Sequence, residues 1–530
     1  MNDRARWILL LSAVVALGLT LRLHGIHDPI LDHPGWRQGD TAAIARNFAR
    51  LQYDVMYPQT SYNGAPPNYV ELELQIVPFL AASLYKAFGI HEIFGRLISL
   101  GFSLATVIVI AYFARWLFGS AAAGIAAAFF YAVFPGSVYY GRTFMPDCAM
   151  TFFLTAALFA AARYLLDGRR LAPRGLAGAT SLLAAAYLAK PVAVVALAPV
   201  LGMLWERARA KLAVQPAAIA VLIGLPLLVL VAYDRRVASY AEWHWASGIT
   251  RLHVLPALRA AFGGVEPFMA KLGQFRFALG MLRDTMLGRF AFWLAVASFA
   301  ALPWIEARSK ALLWTWLAGS LVYAFVVVTV ERVDYYLLPL LPLCALVIGA
   351  LAARFLSFVR AADPAPAARY ALLAMAPMVG LAVLLTSRAP VAAYYQYNKQ
   401  VYRSAAYLNH TLPKDALVVI GHYGPEVQYY IDRFGWEEDP ELWTAFDEES
   451  AIRKGARYFI AIEDRRLRAN LELCAWLARF PVSSSSGWPV YETDPAKTLP
   501  GSRELWRAFR SAEREGDGRA FLDARGICRL

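Results

Sequence analysis

The sequence predicts a polytopic α-helical membrane protein, with about 11–13 transmembrane helices and a small C-terminal α/β domain placed outside the cytoplasm. Three observations carry this reading. Of 530 residues, 59% are hydrophobic and only 17% are charged, whereas an ordinary soluble chain has about a quarter of its residues charged. Apolar stretches of roughly the 17–25 residues that a bilayer requires recur as far as residue 387 and then stop. Residues 388–530 return to a soluble composition. The net charge of +13 is not a nucleic-acid signal, because the basic residues cluster in short loops between the apolar stretches. That is the usual orientation signal of a membrane protein.

Taken in order, Met1–Arg6 is a short basic head and residues 7–23 are the first span. No small-residue cleavage site follows it, so it reads as an uncleaved helix. Further spans are expected at 97–114, 121–138, 149–166, 176–189, 191–205, 217–233, 289–305, 311–330, 336–353 and 370–387. With the N-terminus inside, the basic loops fall on one side. These hold Arg115, residues 167–170 with Arg174, residues 206–211, residues 306–310 and residues 354–369. An odd number of crossings then puts the tail outside. Residues 69–89 are apolar enough to cross, but one extra crossing would invert every later loop, so a helix lying on or dipping into the outer surface is expected. A second short crossing through 90–100 would also keep the parity. The membrane domain is thus 1–387, with outer segments 24–96 and 235–287, and the soluble domain is 388–530.

In the tail, residues 416–421 and 458–463 read as buried strands, Val490–Glu492 as an edge strand, and Ser483–Ser486 as a loop. Cys148 and Cys344 fall in apolar spans as small core residues. Cys474 and Cys528 lack metal-ligand spacing, and a disulfide between them requires an extracytoplasmic tail.

The chemistry-bearing residues gather at the outer boundary. His33-Pro-Gly-Trp-Arg-Gln-Gly-Asp40 is too polar for lipid, and a short amphipathic helix is expected over residues 41–51. This run supplies His33, Trp36, Arg37 and Asp40. Gly141-Arg-Thr-Phe-Met-Pro-Asp147 closes one span and opens the next, with Pro146 suited to a helix start and Asp147 favoured at its N-terminus. Lys190-Pro191 breaks one long apolar stretch, leaving a lysine suited to phosphate at the turn. Arg332, Asp334, Tyr335 and Tyr336 form a further cluster. Single charges at helix ends are commonly just snorkelling. The coincidence of this set on one side favours a shared cavity that handles an anionic group. No Walker loop, Rossmann glycine fingerprint or paired-histidine motif is present, and neither cofactor nor metal is expected.

These residues resemble the C-type glycosyltransferases, polytopic enzymes that use polyprenyl-phosphate sugars. The closer likeness is to the bacterial branch of aminoarabinose transferases, protein mannosyltransferases and rhizobial lipopolysaccharide galacturonosyltransferases. Residues 35–48 look like the first-loop acidic motif and the surface helix after it, Tyr139–Asp147 like the second-loop segment, and Tyr335–Pro342 like the late motif. The resemblance implies Asp40 and Asp147 as catalytic acids, Arg37, Arg142, Lys190 and Arg332 around the donor phosphate, and His33, Trp36, Tyr335 and Tyr336 as substrate-site residues. It implies an inverting transfer to a lipid, glycan or protein acceptor at the outer face of the inner membrane. Two departures stand out. The Glu-Lys-Pro-Pro segment of aminoarabinose transferases is replaced by Glu71-Leu-Glu-Leu-Gln-Ile-Val-Pro78, and Gly39 stands where other members carry a second carboxylate.

Other classes fit less well. A transporter or flippase would show charges near the midplane and broken helices in related halves, and neither is evident. An O-antigen ligase or polymerase of lipid-linked glycans stays open on the residues alone.

Overall fold

A computed structural model describes residues 2–167, 172–212, 214–361 and 366–528. The basic-loop positions expected at 168–170, and 362–365 of the 354–369 segment, lie outside the described residues. Contacts divide the chain into two units, and not at residue 387. One holds Met1–Asp28 with Glu71–Tyr395, and the other Pro29–Val70 with Gln396–Leu530. Most of the first outer segment therefore belongs with the tail.

The first unit is a helical bundle. Eight described helices are long and apolar enough to cross a membrane, or nine if Val265–Leu287 and Arg289–Trp304, bent by 110° at their junction, form one span. Each of the eleven expected spans coincides with a helix. The match for 121–138 is interrupted: Ala121–Val133 ends at Phe134, and Pro135–Tyr140 begins a new short helix. Residues 69–89 contain one short apolar helix, Ile76–Phe88. The expected outer segment 235–287 is largely helical, including Leu255–Ala261 and Val265–Met281.

Small residues let these helices approach closely, which is how packing is gained where lipid supplies no hydrophobic drive. A Cβ on Gly349 would lie 2.6 Å from the Ala123 carbonyl, and one on Gly124 2.6 Å from that of Ala111. Arg22 closes the first helix, fully buried. Its guanidinium donates to Ser103 Oγ (2.9 Å), Gly18 O (3.0 Å), Ala132 O (2.9 Å) and Ser137 Oγ (2.7 Å).

Loops expected on one side do meet at one end of this bundle. Trp116 Nε1 donates to Asp167 (2.7 Å), Arg308 lies 3.6 Å from Asp167, and Arg207 donates to the Leu165 carbonyl (2.6 Å). Ser309 also donates to Glu206.

The second unit contains a five-stranded sheet. Its order is Gly435–Glu438, Leu417–Gly421, Ala456–Ile460, Val490–Glu492, Val482–Ser483. The first two pairings are parallel and the last two antiparallel. Val490–Glu492 is therefore not the edge, because Val482–Ser483 pairs outside it, and the expected loop at Ser483–Ser486 begins inside that strand. The Cys474–Cys528 disulfide is formed, with Cα atoms 6.2 Å apart.

Helix Gly35–Arg50 packs against Pro425–Ile431 in this unit. It starts six residues earlier than the expected helix at 41–51, so Arg37 and Asp40 lie within it. Instead of an amphipathic pattern, every residue from Arg37 to Phe48 is buried. Arg46 donates to the Tyr429 carbonyl (2.7 Å) and pairs with Asp432 (2.8 Å), and Arg50 joins the same carboxylate at 2.8 Å. Gly39 is the point of closest approach, since a Cβ there would meet Glu426 Cα at 2.5 Å and its backbone nitrogen at 2.6 Å.

Two outcomes follow for this unit. Gly39→Ala should cost about 1–3 kcal/mol, because the collision is with backbone that cannot rotate away. Faster hydrogen exchange over residues 35–50 and 425–431 of the intact protein would report it. Buried Glu448, which accepts from Trp443 Nε1 at 2.8 Å, has its carboxyl raised by burial from 4.5 to about 8. The folded unit thus keeps a proton that the unfolded chain releases. The associated stability is complete below pH 4.5 and is lost as pH rises through about 8, at about 1.4 kcal/mol per pH unit. In Glu448→Gln this component of the pH slope should vanish from exchange measured on the tail segments.

Candidate active site

The ten site candidates divide between the two units. Six lie in the helical bundle, and the structure brings four of these together. Pro146 caps helix Asp147–Leu166, so Asp147 occupies its first turn. Helix Pro173–Ala189 stops at Lys190, and a 3₁₀ turn, Pro191–Ala196, leads into Leu197–Arg209. These two interruptions place the Lys190 ammonium 2.7 Å from Asp147 Oδ1, with the two side chains 8% and 1% exposed. The other carboxylate oxygen of Asp147 is buried with no hydrogen-bond partner among the described residues.

The rest of the setting comes from the 3₁₀ segment Asp334–Leu340. Lys190 Nζ stands 4.8 Å from the ring centre of Tyr335 and 4.7 Å from that of Tyr336, within cation–π range of both. The two rings cross at 90°. An ammonium ordered by a carboxylate and two aromatic faces keeps a fixed direction for its remaining N–H donors.

Asp334, on the same segment, accepts from the hydroxyls of Tyr140, Tyr394 (2.7 Å) and Thr285 (3.0 Å). This ties the late motif to the second-loop segment.

Arg142 is buried. It donates to the Gly25 carbonyl (2.9 Å) and stacks over Tyr139 and Tyr395 at 5.0 and 4.5 Å. The same carbonyl accepts from Arg96. Arg332 ends the short helix Thr329–Glu331 in the left-handed region (φ 53°) and is exposed.

The remaining four candidates lie in the second unit. Asp40 and Arg37 are 6% and 7% exposed, while His33 and Trp36 are open to solvent. The Tyr62 hydroxyl bonds to Asp40, and burial together with that carboxylate holds the phenol well above its ordinary range. Glu437 has its carboxyl pushed far above the ordinary value by burial first and then by the charges of Asp40, Glu426 and Glu438. His422 closes the strand Leu417–Gly421 and lies 2.6 Å from Glu463 and 3.5 Å from Glu426. These carboxylates outweigh burial and raise the imidazole above its ordinary value. It is therefore a paired histidine, not a free surface one.

Sequence reasoning missed three features. Glu71 accepts from Ser247 N (3.0 Å) and Ser247 Oγ (2.8 Å), and burial raises it to about 7 with help from a bond to Asp234. Glu437 gave no signal because its strand is short and acidic. Lys271 shares the helix Val265–Met281 with Arg276, and its segment, 235–287, was expected to be an outer loop. Among the described residues no group of three or more His, Cys, Asp or Glu side chains could hold a metal ion.

Comparisons with known proteins bear on the fold. The family model of dolichyl-phosphate-mannose-protein mannosyltransferases matches residues 75–233. The chain is similar in fold to ArnT from Cupriavidus metallidurans, in the apo state (TM-score 0.56, 14% identity) and bound to undecaprenyl phosphate (TM-score 0.55, 12% identity). Each alignment covers 94% of this chain and 100% of that one. None of the curated proteins matches in sequence. The fold is thus the one ArnT has, a polytopic helical bundle with a small C-terminal sheet region.

Removing one member of the buried pair isolates a charge. Asp147→Ala should destabilise the bundle by about 3–5 kcal/mol. Asp147→Ala combined with Lys190→Met should recover much of the loss, read by thermal unfolding in detergent.

Proposed function

We propose that this protein is an inverting glycosyltransferase of the inner membrane. It moves a sugar from a polyprenyl-phosphate donor to a lipid, glycan or protein acceptor on the outer face. The observation that carries this reading is the buried Asp147–Lys190 pair seated on Tyr335 and Tyr336, in a fold shared with ArnT, a protein solved with undecaprenyl phosphate bound. The formed Cys474–Cys528 disulfide supports an extracytoplasmic tail.

Each group then has a task. The acceptor oxygen attacks the anomeric carbon as the bond from that carbon to the phosphate oxygen breaks, and the electron pair leaves with the lipid phosphate. Lys190 stabilises the charge that develops there. Asp147 is a positioning residue, fixing the direction of the ammonium. Tyr335 and Tyr336 give the sugar or isoprenyl chain an aromatic wall. Asp40 takes the acceptor proton, or orients the acceptor where that is itself a phosphate, and Arg37 adds positive charge to the first-loop motif. Arg142, engaged with a carbonyl and two rings, holds the second-loop segment in shape.

The test is transfer from a panel of radiolabelled polyprenyl-phosphate sugars to endogenous acceptors, in membranes carrying wild type, Asp40→Asn or Lys190→Met. Transfer by wild type should fall by about 10²-fold or more in each variant at equal expression. Equal transfer by Asp40→Asn would remove that residue from the reaction. Inactivity of the wild type across the full donor panel would favour the transporter or polymerase readings.

A further inference from the structure

Two consecutive helices, Pro191–Arg209 and Pro216–Ala238, are each long and apolar enough to cross a membrane. At the end of the bundle where the basic loops meet, a cleft of about 610 Å³ opens between them. That size falls inside the ~300–1,000 Å³ of small-molecule sites. Leu201, Leu204 and Trp205 form one wall, and Ile219 lies on the other. Leu201 and Trp205 are 54% and 57% exposed, so the described residues leave this wall open.

The cleft has a cationic rim. Lys211 is the one charged residue in a lining that is otherwise apolar. It sits in the left-handed region (φ 54°), in a turn closed by its N–H donating to the Ala208 carbonyl (2.9 Å). Arg209 stacks on the Trp205 ring at 4.9 Å, within cation–π range. The other charges of this loop are engaged: Arg207 donates to the Leu165 carbonyl (2.6 Å) and Glu206 accepts from Ser309. Arg209 and Lys211 are exposed and have no ion-pair partner among the described residues.

A dry wall of leucine and tryptophan at membrane depth suits an acyl chain. A tryptophan at the end of a span marks the headgroup level, and that is where the two cations stand. They attract an anionic headgroup, whereas a zwitterionic one brings a cation of its own. Basic loops face the cytoplasmic leaflet, which carries the anionic lipid.

We propose that this cleft is a binding site for an anionic glycerophospholipid. An acyl chain lies along Leu201, Leu204 and Trp205, and Arg209 and Lys211 hold the phosphate. The site and Lys190 flank opposite ends of the same span, Pro191–Arg209, so it is separate from the Asp147–Lys190 pair. It stands whether or not the chain transfers sugar.

The experiment is native mass spectrometry of the full-length protein in detergent, titrated with phosphatidylglycerol or with phosphatidylcholine of the same acyl chains. Wild type, Arg209→Gln, Lys211→Gln, Trp205→Ala and Arg354→Gln are compared. Arg354 is the control, an exposed cation on Leu341–Ala361 that does not line the cleft. Wild type should bind phosphatidylglycerol more tightly than phosphatidylcholine. Arg209→Gln and Lys211→Gln should each weaken phosphatidylglycerol about fivefold and leave phosphatidylcholine unchanged, and Arg354→Gln should change neither. Trp205→Ala should weaken both lipids. Without added lipid the glutamine variants should melt as wild type does, because the side chains removed are exposed. Equal binding of the two lipids by wild type would overturn the proposal. An equal loss in Arg354→Gln would also overturn it, because the attraction would then belong to the whole basic end. Dimers that Trp205→Ala disperses, with lipid binding unchanged, would overturn it in favour of a second copy of the chain in the cleft.

Discussion

A charge inside an apolar bundle must be matched within the protein, because lipid offers no partner. This constraint organises the helical unit, and the chain meets it in two distinct ways. Arg22 is matched by neutral oxygens: two carbonyls and two hydroxyls from four different segments converge on one guanidinium. That solution is rigid and fixes the crossing of the first helix over its neighbours. It even reserves space, since a Cβ on Gly141 would lie 2.5 Å from Arg22 Nε. Lys190 is matched by a carboxylate instead, and that second solution is chemically available. An ammonium has more donors than Asp147 Oδ1 can accept from, and the unpartnered Oδ2 leaves the pair open to a further group.

The polar groups of interest sit where helices break. Lys190 precedes Pro191, Asp147 follows Pro146, Tyr139 and Tyr140 end the short helix opened by Pro135, and Asp334 to Tyr336 lie in a 3₁₀ segment that contains Pro339. Non-helical backbone at membrane depth survives only where protein or a cavity satisfies it. Each break therefore has to be buried against another, and this pulls the polar side chains into contact. The Tyr140–Asp334–Tyr394 bonds and the Lys190–Tyr335–Tyr336 stack are products of the same packing requirement.

What the sequence made legible follows from this. Proline next to a charge inside an apolar stretch is a local signal, so Lys190 and Asp147 could be singled out without knowing that they pair. Hydropathy likewise set each expected span on a helix, eight or nine of which among the described residues are long and apolar enough to cross a membrane. Long-range matches leave no local trace. Arg22 read as the ordinary basic end of a first helix, and three of its four partners lie 81 to 115 residues away. The same limit hid the division of the chain. Nothing in residues 29–70 says that they pack with the tail, because the complementary residues, Tyr429, Tyr430 and Asp432, lie nearly 400 positions on. The helices within 235–287 left no clear pattern either, because scattered charges interrupt their apolar residues.

The departure at Gly39 has a physical explanation in the second unit. Members of the branch that the first-loop motif resembles carry a second carboxylate beside that acid, and here the position has no room for any side chain, because Glu426 backbone occupies the space. The tail nevertheless brings a carboxyl to Asp40 from a different direction, on the strand Gly435–Glu438. Burial and three neighbouring carboxylates favour the protonated form of Glu437, so it can stand near Asp40 without doubling the negative charge. A neutral carboxyl donates a hydrogen bond where a second carboxylate would only repel or demand a cation. The close approach that excludes a side chain at 39 belongs to the packing of Gly35–Arg50 on Pro425–Ile431, and the charge of Asp40 on that same helix helps to raise the Glu437 carboxyl.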